Sequence, residues 1–298
     1  MAHHATRIQQ HAPNLEPGCD NRYGLEHARH SSPGGPTTCD YCQMQISLNG
    51  MRAFVTAGGA GIGRATVLAL REAGAQVLTC DLDASALATL PDDVDTWTCD
   101  VSDSAALDAV FDEIVPGGLD IMVNNAGVAG PTKLVEDITD DEWRHTMAVG
   151  IDSQFFCARR AVPVFKAQGS GVIINLTSTA GIFGYPTRAP YAAAKWAVTG
   201  FTKTLAMELG PHNIRVNAIA PGSVNGDRMD RVVQGHADVE GLTPDQVRAL
   251  YAKGVSMQCF VDPEEIADLI VFLCSDHGRH ISGQVVGVDG HTETLWPR

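Results

Sequence analysis

Short apolar runs, rich in β-branched residues, alternate with longer amphipathic stretches between residues 52 and 288. A short apolar run bounded by turn residues predicts a buried strand, and a longer stretch with helical periodicity predicts a helix. The pattern predicts strands over 52–56, 76–80, 121–123, 171–176, 214–219 and 284–288. It predicts helices over 64–73, 103–115, 140–167, 191–209 and 263–275.

This alternation indicates the fold class. Strands that alternate with helices form a parallel sheet, and helices cover both faces of such a sheet. The sequence shows no internal repeat and no boundary of a second domain. We therefore expect an α/β protein with a Rossmann-like, doubly wound parallel sheet, in a single domain over residues 47–298.

Residues 1–46 differ from the rest in composition. They are rich in His, Pro, Gly, Asn and Gln and lack periodicity, which is typical of a disordered leader. Cys39 and Cys42 form a C-x-x-C motif, but one such motif without a matching second pair is a weak signal for zinc. An unstructured extension is favoured over a metal site, and Met44 or Met51 would be a natural start of translation.

Charge and composition limit the classes of binding partner that the protein can have. The formal net charge is -14, with 35 acidic against 21 basic residues, which argues against nucleic acid and anionic membranes. No apolar run is long enough for a transmembrane helix, and no secretory signal pattern begins the chain. Four of the eight cysteines lie in apolar segments and are expected to be reduced core residues: Cys80, Cys99, Cys157 and Cys274. We expect a cytoplasmic protein that acts on a small molecule.

A glycine-rich turn, Thr56-Ala57-Gly58-Gly59-Ala60-Gly61-Ile62-Gly63, lies between the first predicted strand and helix. Glycine lets the backbone turn sharply and approach a pyrophosphate that sits on the helix N-terminus. A simple tight turn would also use glycine, but the strand before it and the helix after it favour a dinucleotide site. The expected cofactor contacts are Gly58, Gly61, Ile62 and Gly63.

Asp81 ends the second predicted strand, about 20 residues after the turn, where a carboxylate can accept hydrogen bonds from the adenosine ribose. A carboxylate there also repels the 2'-phosphate of NADP. The residues at the positions that could offset this repulsion, Leu82 and Ala60, carry no charge. The alternative is a solvated strand end, which the spacing to the glycines disfavours. NAD is therefore expected rather than NADP.

Further motifs follow in order: Cys99-Asp100-Val101, Asn124-Asn125-Ala126-Gly127, Ser178 with Tyr191-x-x-x-Lys195, and Pro221-Gly222. Each motif alone is weak, but the ordered set resembles the short-chain dehydrogenase/reductase family over most of residues 51–290. The resemblance implies an oxidoreductase with Ser178, Tyr191 and Lys195 as catalytic residues. With the glycine turn and Asp81, it implies these further cofactor contacts: Asp100, Val101, Asn125, Ala126, Gly127, Tyr191, Lys195, Pro221, Gly222 and Val224.

The implied catalytic residues suit hydride transfer. Tyr191 and Lys195 are four residues apart on a predicted helix, so their side chains lie on one face. A nearby ammonium favours the phenolate of a tyrosine, whose ordinary pKa of about 10 is too high for a base at neutral pH. Tyr191 could then exchange a proton with the substrate, while Ser178 holds the same oxygen. Taken singly, these residues could be a surface pair and a turn serine.

Two positions depart from the family pattern. Ala57 replaces the first glycine of the turn, a change that a backbone with negative φ would accept. Gly150 stands where the family usually has an asparagine, which is thought to hold a water that feeds protons toward the lysine. A neighbour such as Asp152 or Ser153 could take over this function. The departure puts the proton relay in question rather than the hydride chemistry.

The segment 223–257 is polar, and the resemblance implies that it forms a mobile lid over the substrate. Arg188 and Arg228 are candidate substrate contacts, as are Phe183 and Tyr185, which could instead be core residues. Clustered cations suggest an acidic substrate, but solvated arginines paired with nearby aspartates are the favoured interpretation. Ser223 or Asn225 could bind the carboxamide of the cofactor in place of the threonine that relatives have at the position of Gly226.

The resemblance also implies a homo-oligomer, a tetramer or a dimer, that assembles along the last strand. The leading functional hypothesis is NAD-linked oxidoreduction of a secondary alcohol or ketone, with Tyr191 as general acid and base. Two alternatives remain: an NADPH-linked reductase of the 3-oxoacyl type, which Asp81 disfavours, and a catalytically impaired NAD(H)-binding sensor or scaffold, which only Gly150 supports.

Overall fold

The computed structural model describes residues 46–295. Within that range it contains a seven-stranded parallel sheet with the strand order β3-β2-β1-β4-β5-β6-β7. The strands are β1 (Arg52–Thr56), β2 (Gln76–Asp81), β3 (Asp95–Thr98), β4 (Ile121–Asn124), β5 (Gly171–Leu176), β6 (Ile214–Pro221) and β7 (Val285–Val288). All six strands predicted from the sequence are present, with small differences at their ends.

The sheet is covered by helices on both faces. The helices of the described part are α1 (Gly61–Glu72), α2 (Ala84–Leu87), α3 (Ser104–Ile114), α4 (Asp140–Met147), α5 (Ser153–Gln168), α6 (Ala189–Leu209), α7 (Asp227–Glu240), α8 (Pro244–Lys253) and α9 (Pro263–Cys274). On β1, Phe54 packs into the core that includes α3 and α5, and Val55 packs into the opposite core with α1 and α9. Burial on both faces explains why the central strands β1, β4 and β5 are mostly apolar. The Rossmann-like, doubly wound fold is confirmed.

Strand β3 and the short helix α2 were missing from the prediction. The sequence of β3, Asp-Thr-Trp-Thr, has no apolar run, and three of its four residues are exposed. It pairs only with β2, at the edge of the sheet. Edge strands bury little surface, so the hydrophobic pattern does not reveal them.

The helix predicted over 140–167 is interrupted, which corrects the prediction of one continuous helix. Between α4 and α5 lies a π-helical turn, Ala148–Asp152. Gly150 is buried in this turn, and a Cβ placed on it would lie 2.9 Å from the Cβ of Ala194 on α6. A π turn inserts an extra residue into a helix and often marks a functional site. Here the absent side chain of Gly150 lets the turn pack closely against α6.

The segment 223–257 contains two helices, α7 and α8, where the sequence analysis assigned none. Its glycines and charges mask an amphipathic pattern, and α8 begins with a capping box at Thr243. The apolar faces of α7 and α8 meet in a small core of their own that includes Val233, Val247 and Tyr251. We refer to α7 and α8 as the covering helices.

The remaining predictions concern termini, cysteines and membranes. The predicted leader lies outside the described residues except for Ile46, and the C-x-x-C motif of Cys39 and Cys42 lies entirely outside them. The four cysteines expected in the core are buried and free: Cys80, Cys99, Cys157 and Cys274. None of the helices between residues 46 and 295 is long and apolar enough to cross a bilayer.

Candidate active site

The predicted site residues lie along one edge of the sheet. The strands are parallel, so β1, β2, β4, β5 and β6 all end on the same side. Thr56 and Asp81 end β1 and β2, the Asn-Asn-Ala-Gly motif begins at the end of β4, Ser178 lies two residues beyond β5, and Pro221 ends β6. In open α/β sheets, ligands bind at this carboxyl edge.

The glycine turn connects β1 to α1 as predicted, but the expectation of a negative φ at Ala57 is wrong. Ala57 has a φ of +57°, in the left-handed region that favours glycine. Its carbonyl accepts a hydrogen bond of 3.0 Å from Nδ2 of Asn125, which ties the turn to the end of β4. A side chain at Gly63 would place its Cβ 1.9 Å from the same carbonyl.

The other glycines of the turn are needed for different structural reasons. A Cβ at Gly58 would lie 2.1 Å from Oγ1 of Thr79, so this glycine permits close packing of the turn on β2. Gly61 has a φ of +53° and faces open space at the N-terminus of α1. Backbone N–H groups at a free helix N-terminus attract phosphate. The turn therefore has the shape and charge that a pyrophosphate requires.

The carboxylate of Asp81 lies next to this turn. Its Oδ2 accepts a 2.9 Å hydrogen bond from the backbone N–H of Gly59, and its Oδ1 accepts one of 3.0 Å from Asp83. Leu82, which is 70% exposed, and Ala60, which is also exposed, are uncharged side chains. Neither position therefore supplies a cation that would offset the carboxylate. The Asp81 carboxylate, a hydrogen-bond acceptor, fits an adenosine ribose with free hydroxyls.

The Asn-Asn-Ala-Gly motif joins the central strands. The backbone N–H groups of Asn125 and Ala126 both donate to Oγ1 of Thr56, at 3.0 Å each. A Cβ on Gly127 would lie 3.6 Å from Nζ of Lys195, which places the end of the motif at the candidate catalytic centre.

The remaining predicted cofactor contacts also lie at the carboxyl edge. Asp100 follows β3, where its Oδ1 accepts hydrogen bonds from Ser102, and Val101 is buried. Gly222 donates a 3.0 Å backbone hydrogen bond to Val288, and Val224 forms a bridge with Val261.

The two candidates for carboxamide binding have different surroundings. The amide of Asn225 donates a 2.7 Å hydrogen bond to Asp262, so this side chain is directed at the start of α9. Ser223 instead lines a small pocket, together with Tyr185, Tyr251, Val255, Thr292, Thr294 and Leu295.

The structure brings Ser178, Tyr191 and Lys195 together. Tyr191 and Lys195 are on the first turns of α6, and Nζ of Lys195 is 5.7 Å from the centre of the Tyr191 ring. Lys195 is only 4% exposed, and its ammonium donates a 2.7 Å hydrogen bond to the carbonyl of Leu176. Ser178 is buried, and its hydroxyl accepts a 3.1 Å hydrogen bond from the N–H of Ala180.

The electrostatics of the site favour a phenolate at Tyr191. Burial raises the pKa of this phenol, but the charges of Lys195 and Arg228, hydrogen bonding by Ser178 and the charge of Arg188 together lower it below its ordinary value. Burial lowers the pKa of Lys195 to about 8, with Tyr191 acting in the opposite direction. A phenol whose pKa is lowered beside a buried ammonium is ionised at lower pH than an ordinary tyrosine, which suits a general base.

The predicted substrate contacts gather around Tyr191. The guanidinium of Arg188 lies 5.2 Å from the ring centres of both Tyr185 and Tyr191. Arg228 is in the first turn of α7. Its Nη2 and Nη1 would lie 3.9 and 4.0 Å from a Cβ placed on Gly127. Phe183 is partly buried in the segment between Ser178 and α6.

Sequence reasoning missed Tyr251 and Gln154. The hydroxyl of Tyr251 lies 3.1 Å from that of Tyr185 and 2.9 Å from Nδ1 of the buried His236. Gln154 is 1% exposed, and its amide donates a 3.4 Å hydrogen bond to the Leu176 carbonyl that also accepts from Lys195. A glutamine among the apolar positions of a predicted helix was the available signal.

The neighbours proposed to replace the family's asparagine have other surroundings. Asp152 is exposed, and Oγ of Ser153 donates a 2.8 Å hydrogen bond to the carbonyl of Val149 within its own helix. Gln154, one helical turn after Gly150, is instead the polar side chain that reaches the Lys195 environment.

A family model described as enoyl-(acyl carrier protein) reductase matches residues 56–291, a range that includes the glycine turn and the catalytic candidates. The chain belongs to the short-chain dehydrogenase/reductase family. This confirms the assignment made from the sequence motifs. Members of the family use NAD(P), and this chain, like them, is an oxidoreductase.

Individual members of the family are similar over most of their length. The chain is 33% identical over 254 residues to the 3-oxoacyl-(acyl-carrier-protein) reductase FabG of Thermotoga maritima, covering 82% of this chain and 98% of that protein. It is 40% identical over 198 residues to a trans-4-hydroxycyclohexanecarboxylate dehydrogenase of Sinomonas cyclohexanicum, covering 66% of each. An NAD+-bound xylitol dehydrogenase structure matches with a TM-score of 0.78 at 30% identity, covering 81% of this chain and 98% of that one.

Proposed function

We propose that this protein is an NAD-dependent oxidoreductase that interconverts a secondary alcohol and a ketone. The observation that carries the proposal is the convergence of Ser178, Tyr191 and Lys195 beside Gly127, at the edge where the glycine turn and Asp81 also lie. A nucleotide held along this edge would place its reactive end beside Tyr191.

In alcohol oxidation, Tyr191 as phenolate accepts the proton of the substrate hydroxyl while the carbon loses hydride. The bound nicotinamide supplies the acceptor for that hydride. Ser178 donates a hydrogen bond to the substrate oxygen and keeps the carbon in place. Lys195 keeps Tyr191 ionised through its charge and, by family resemblance, also binds the nicotinamide ribose. Ketone reduction uses the same groups in reverse, with Tyr191 as the acid.

We propose NAD rather than NADP because Asp81 ends β2 next to the glycine turn. Its carboxylate suits ribose hydroxyls and repels a 2'-phosphate. Neither Leu82 nor Ala60 supplies a charge that would bind this phosphate. The similar xylitol dehydrogenase structure is NAD+-bound, which agrees with this choice.

A screen of alcohols and ketones with each cofactor tests the proposal. Sugar acids, hydroxy acids, cyclic diols and steroids are offered with NAD and with NADP, and the absorbance of the reduced nicotinamide is followed. We expect turnover with NAD at a kcat/KM at least about 10-fold above that with NADP, which corresponds to 1.4 kcal/mol. Turnover of 3-oxoacyl thioesters with NADPH alone would favour the reductase alternative. Binding of NADH without any turnover would favour a sensor or scaffold.

The proposal extends to the assembly and location of the protein. We propose a homo-oligomer, and large apolar side chains exposed on α4, α5 and α6 support it: Trp143, Phe155, Trp196 and Met207. Light scattering on the purified protein measures its mass and decides between one, two and four copies. A cytoplasmic location agrees with the free, buried cysteines at positions 80, 99, 157 and 274.

A further inference from the structure

Among residues 46–295, a buried arginine next to Tyr191 has no carboxylate partner. Arg188 is 3% exposed, and its side chain makes one hydrogen bond among the described residues, 2.6 Å from Nη2 to the carbonyl of Ala129. Its Nε is buried without any hydrogen-bond partner. A guanidinium carries five N–H donors, so most of the donor capacity of Arg188 is unused.

The groups around Arg188 are neutral. It stacks on the rings of Tyr185 and Tyr191, and such cation–π contacts recover only part of the hydration that burial removes. Burial raises the pKa of Tyr185 and Tyr251, so both phenols keep their protons at neutral pH. Burial also lowers the pKa of His236. None of these side chains provides a negative charge for Arg188 at neutral pH.

A second cation faces the same centre. Arg228 comes close to Gly127 and Lys195 from the first turn of the covering helices. Between residues 46 and 295, no carboxylate lies within 4.0 Å of its nitrogens, and the neighbouring Asp230 pairs with Arg248 instead. The pairing with aspartates that the sequence analysis favoured for this arginine is therefore absent.

The charges at this centre do not balance. Tyr191 supplies at most one negative charge, and it faces the cations of Lys195, Arg228 and Arg188. The chain as a whole is acidic, with a formal net charge of -14. A centre with excess positive charge therefore differs in sign from the protein around it. Of these cations Lys195 and Arg188 are buried, whereas Arg228 is exposed to solvent, and a buried cation is unfavourable unless an anion compensates it.

We propose that the substrate carries a carboxylate, which Arg188 binds while Arg228 closes on it from the covering helices. This inference rests on the proposed function, since it concerns the alcohol or ketone that reacts at Tyr191. A planar guanidinium matches a carboxylate with two parallel hydrogen bonds. The phosphates of a dinucleotide belong at the glycine turn, whereas Arg188 lies beyond Tyr191 among Tyr185, Tyr251 and His236.

Matched acid and neutral substrates test the proposal. The probes are 3-hydroxybutyrate with its methyl ester, and hydroxycyclohexanecarboxylate with its carboxamide. The readout is the ratio of kcat/KM for the acid to that for its neutral partner. We expect the wild type to prefer the acid, Arg188→Gln to lower the ratio by about 100-fold and Arg228→Gln by about 10-fold.

Arg231→Gln is the matched control, because it removes one positive charge from an exposed site on the same helix as Arg228. Its ratio should equal that of the wild type. An unchanged ratio in Arg188→Gln would overturn the proposal. If Arg228→Gln weakens NADH binding and leaves the ratio unchanged, Arg228 serves a cofactor phosphate and its part of the proposal fails.

A binding measurement separates this inference from the proposed reaction. Calorimetry with NADH present compares cyclohexanecarboxylate with cyclohexanecarboxamide, neither of which carries the reacting hydroxyl. The anion site is supported if the wild type binds the acid more tightly than the amide and if Arg228→Gln lowers the affinity for the acid by at least about 10-fold. This result counts even if no compound is turned over. Equal binding of acid and amide would contradict it. If Arg188→Gln does not fold, the binding of acid and amide is compared in Arg188→Lys and Arg228→Gln instead, and a lowered preference for the acid in these variants supports the proposal.

Discussion

The ammonium of Lys195 donates its hydrogen bond to the carbonyl of Leu176, at 2.7 Å, and so connects α6 to the end of β5. This bond fixes the lysine next to Tyr191, and its side chain is buried. The carbonyl also accepts the longer bond from Gln154. A backbone carbonyl therefore fixes the position of the Lys195 ammonium.

Lys195→Met should make the protein more stable and inactive. Burial lowers the pKa of Lys195 to about 8, so the folded state binds its proton less well than the unfolded state does. This penalty is present at pH 7 and disappears as the pH rises from about 8 toward the ordinary lysine value. We expect a gain of about 1 kcal/mol in the free energy of unfolding at pH 7, after the loss of the bond to Leu176. Urea titrations at pH 7 measure it, and a loss of stability would contradict the predicted penalty.

The pH dependence of alcohol oxidation should follow the phenol of Tyr191. Its pKa is lowered, so kcat/KM for a neutral alcohol should reach its plateau below the ordinary tyrosine value of about 10. Arg228→Gln removes one of the cations that favour the phenolate, so the rising limb should move to higher pH. Arg231→Gln serves as the control, with an unchanged limb. A limb that stays in place in Arg228→Gln would show that this charge does not act on Tyr191.

Gly61→Ala and Gly63→Ala should differ in their effects on stability. At Gly61 a side chain meets open space but an unfavourable positive φ, which costs about 1–2 kcal/mol. At Gly63 the new Cβ would overlap the backbone carbonyl of Ala57, so α1 must move and we expect a loss of about 3 kcal/mol. Denaturant titrations compare the two variants. Equal losses would argue against the close contact between α1 and the turn.

Asp81→Asn should reduce the preference for NAD over NADP by about 10-fold, because it removes the negative charge and keeps a side-chain oxygen for the bond from Gly59. Asp93→Asn is a suitable control, since Asp93 is an exposed carboxylate that pairs with Arg71 away from the glycine turn. The measurement is the ratio of kcat/KM with the two cofactors. A ratio that does not change would remove Asp81 from cofactor selection.

The sequence was sufficient to predict six of the seven strands and the edge of the sheet at which the candidate site residues meet. The buried strands of a parallel sheet are apolar on both faces, so β1, β4, β5 and β6 produce clear apolar runs. Their carboxyl ends must share one edge, so motifs that follow them meet there. The convergence of Ser178, Tyr191 and Lys195 follows from this geometry together with helical spacing.

The remaining features depend on contacts between distant parts of the chain. Ala57, which has a positive φ, accepts a hydrogen bond from Asn125, and the π turn at Gly150 packs closely against Ala194. The burial of Arg188 could not be predicted, because local sequence shows a charged residue before a helix and gives no sign of its contacts with Ala129 and Tyr185.

The central claim is that Tyr191 transfers the proton, and Tyr191→Phe tests it most directly. The variant keeps the ring and loses only the hydroxyl, so NADH should bind with nearly unchanged affinity by fluorescence titration. We predict that kcat for the best alcohol or ketone falls by about 1,000-fold. Turnover at close to the wild-type rate, with NADH bound as tightly as before, would contradict the account.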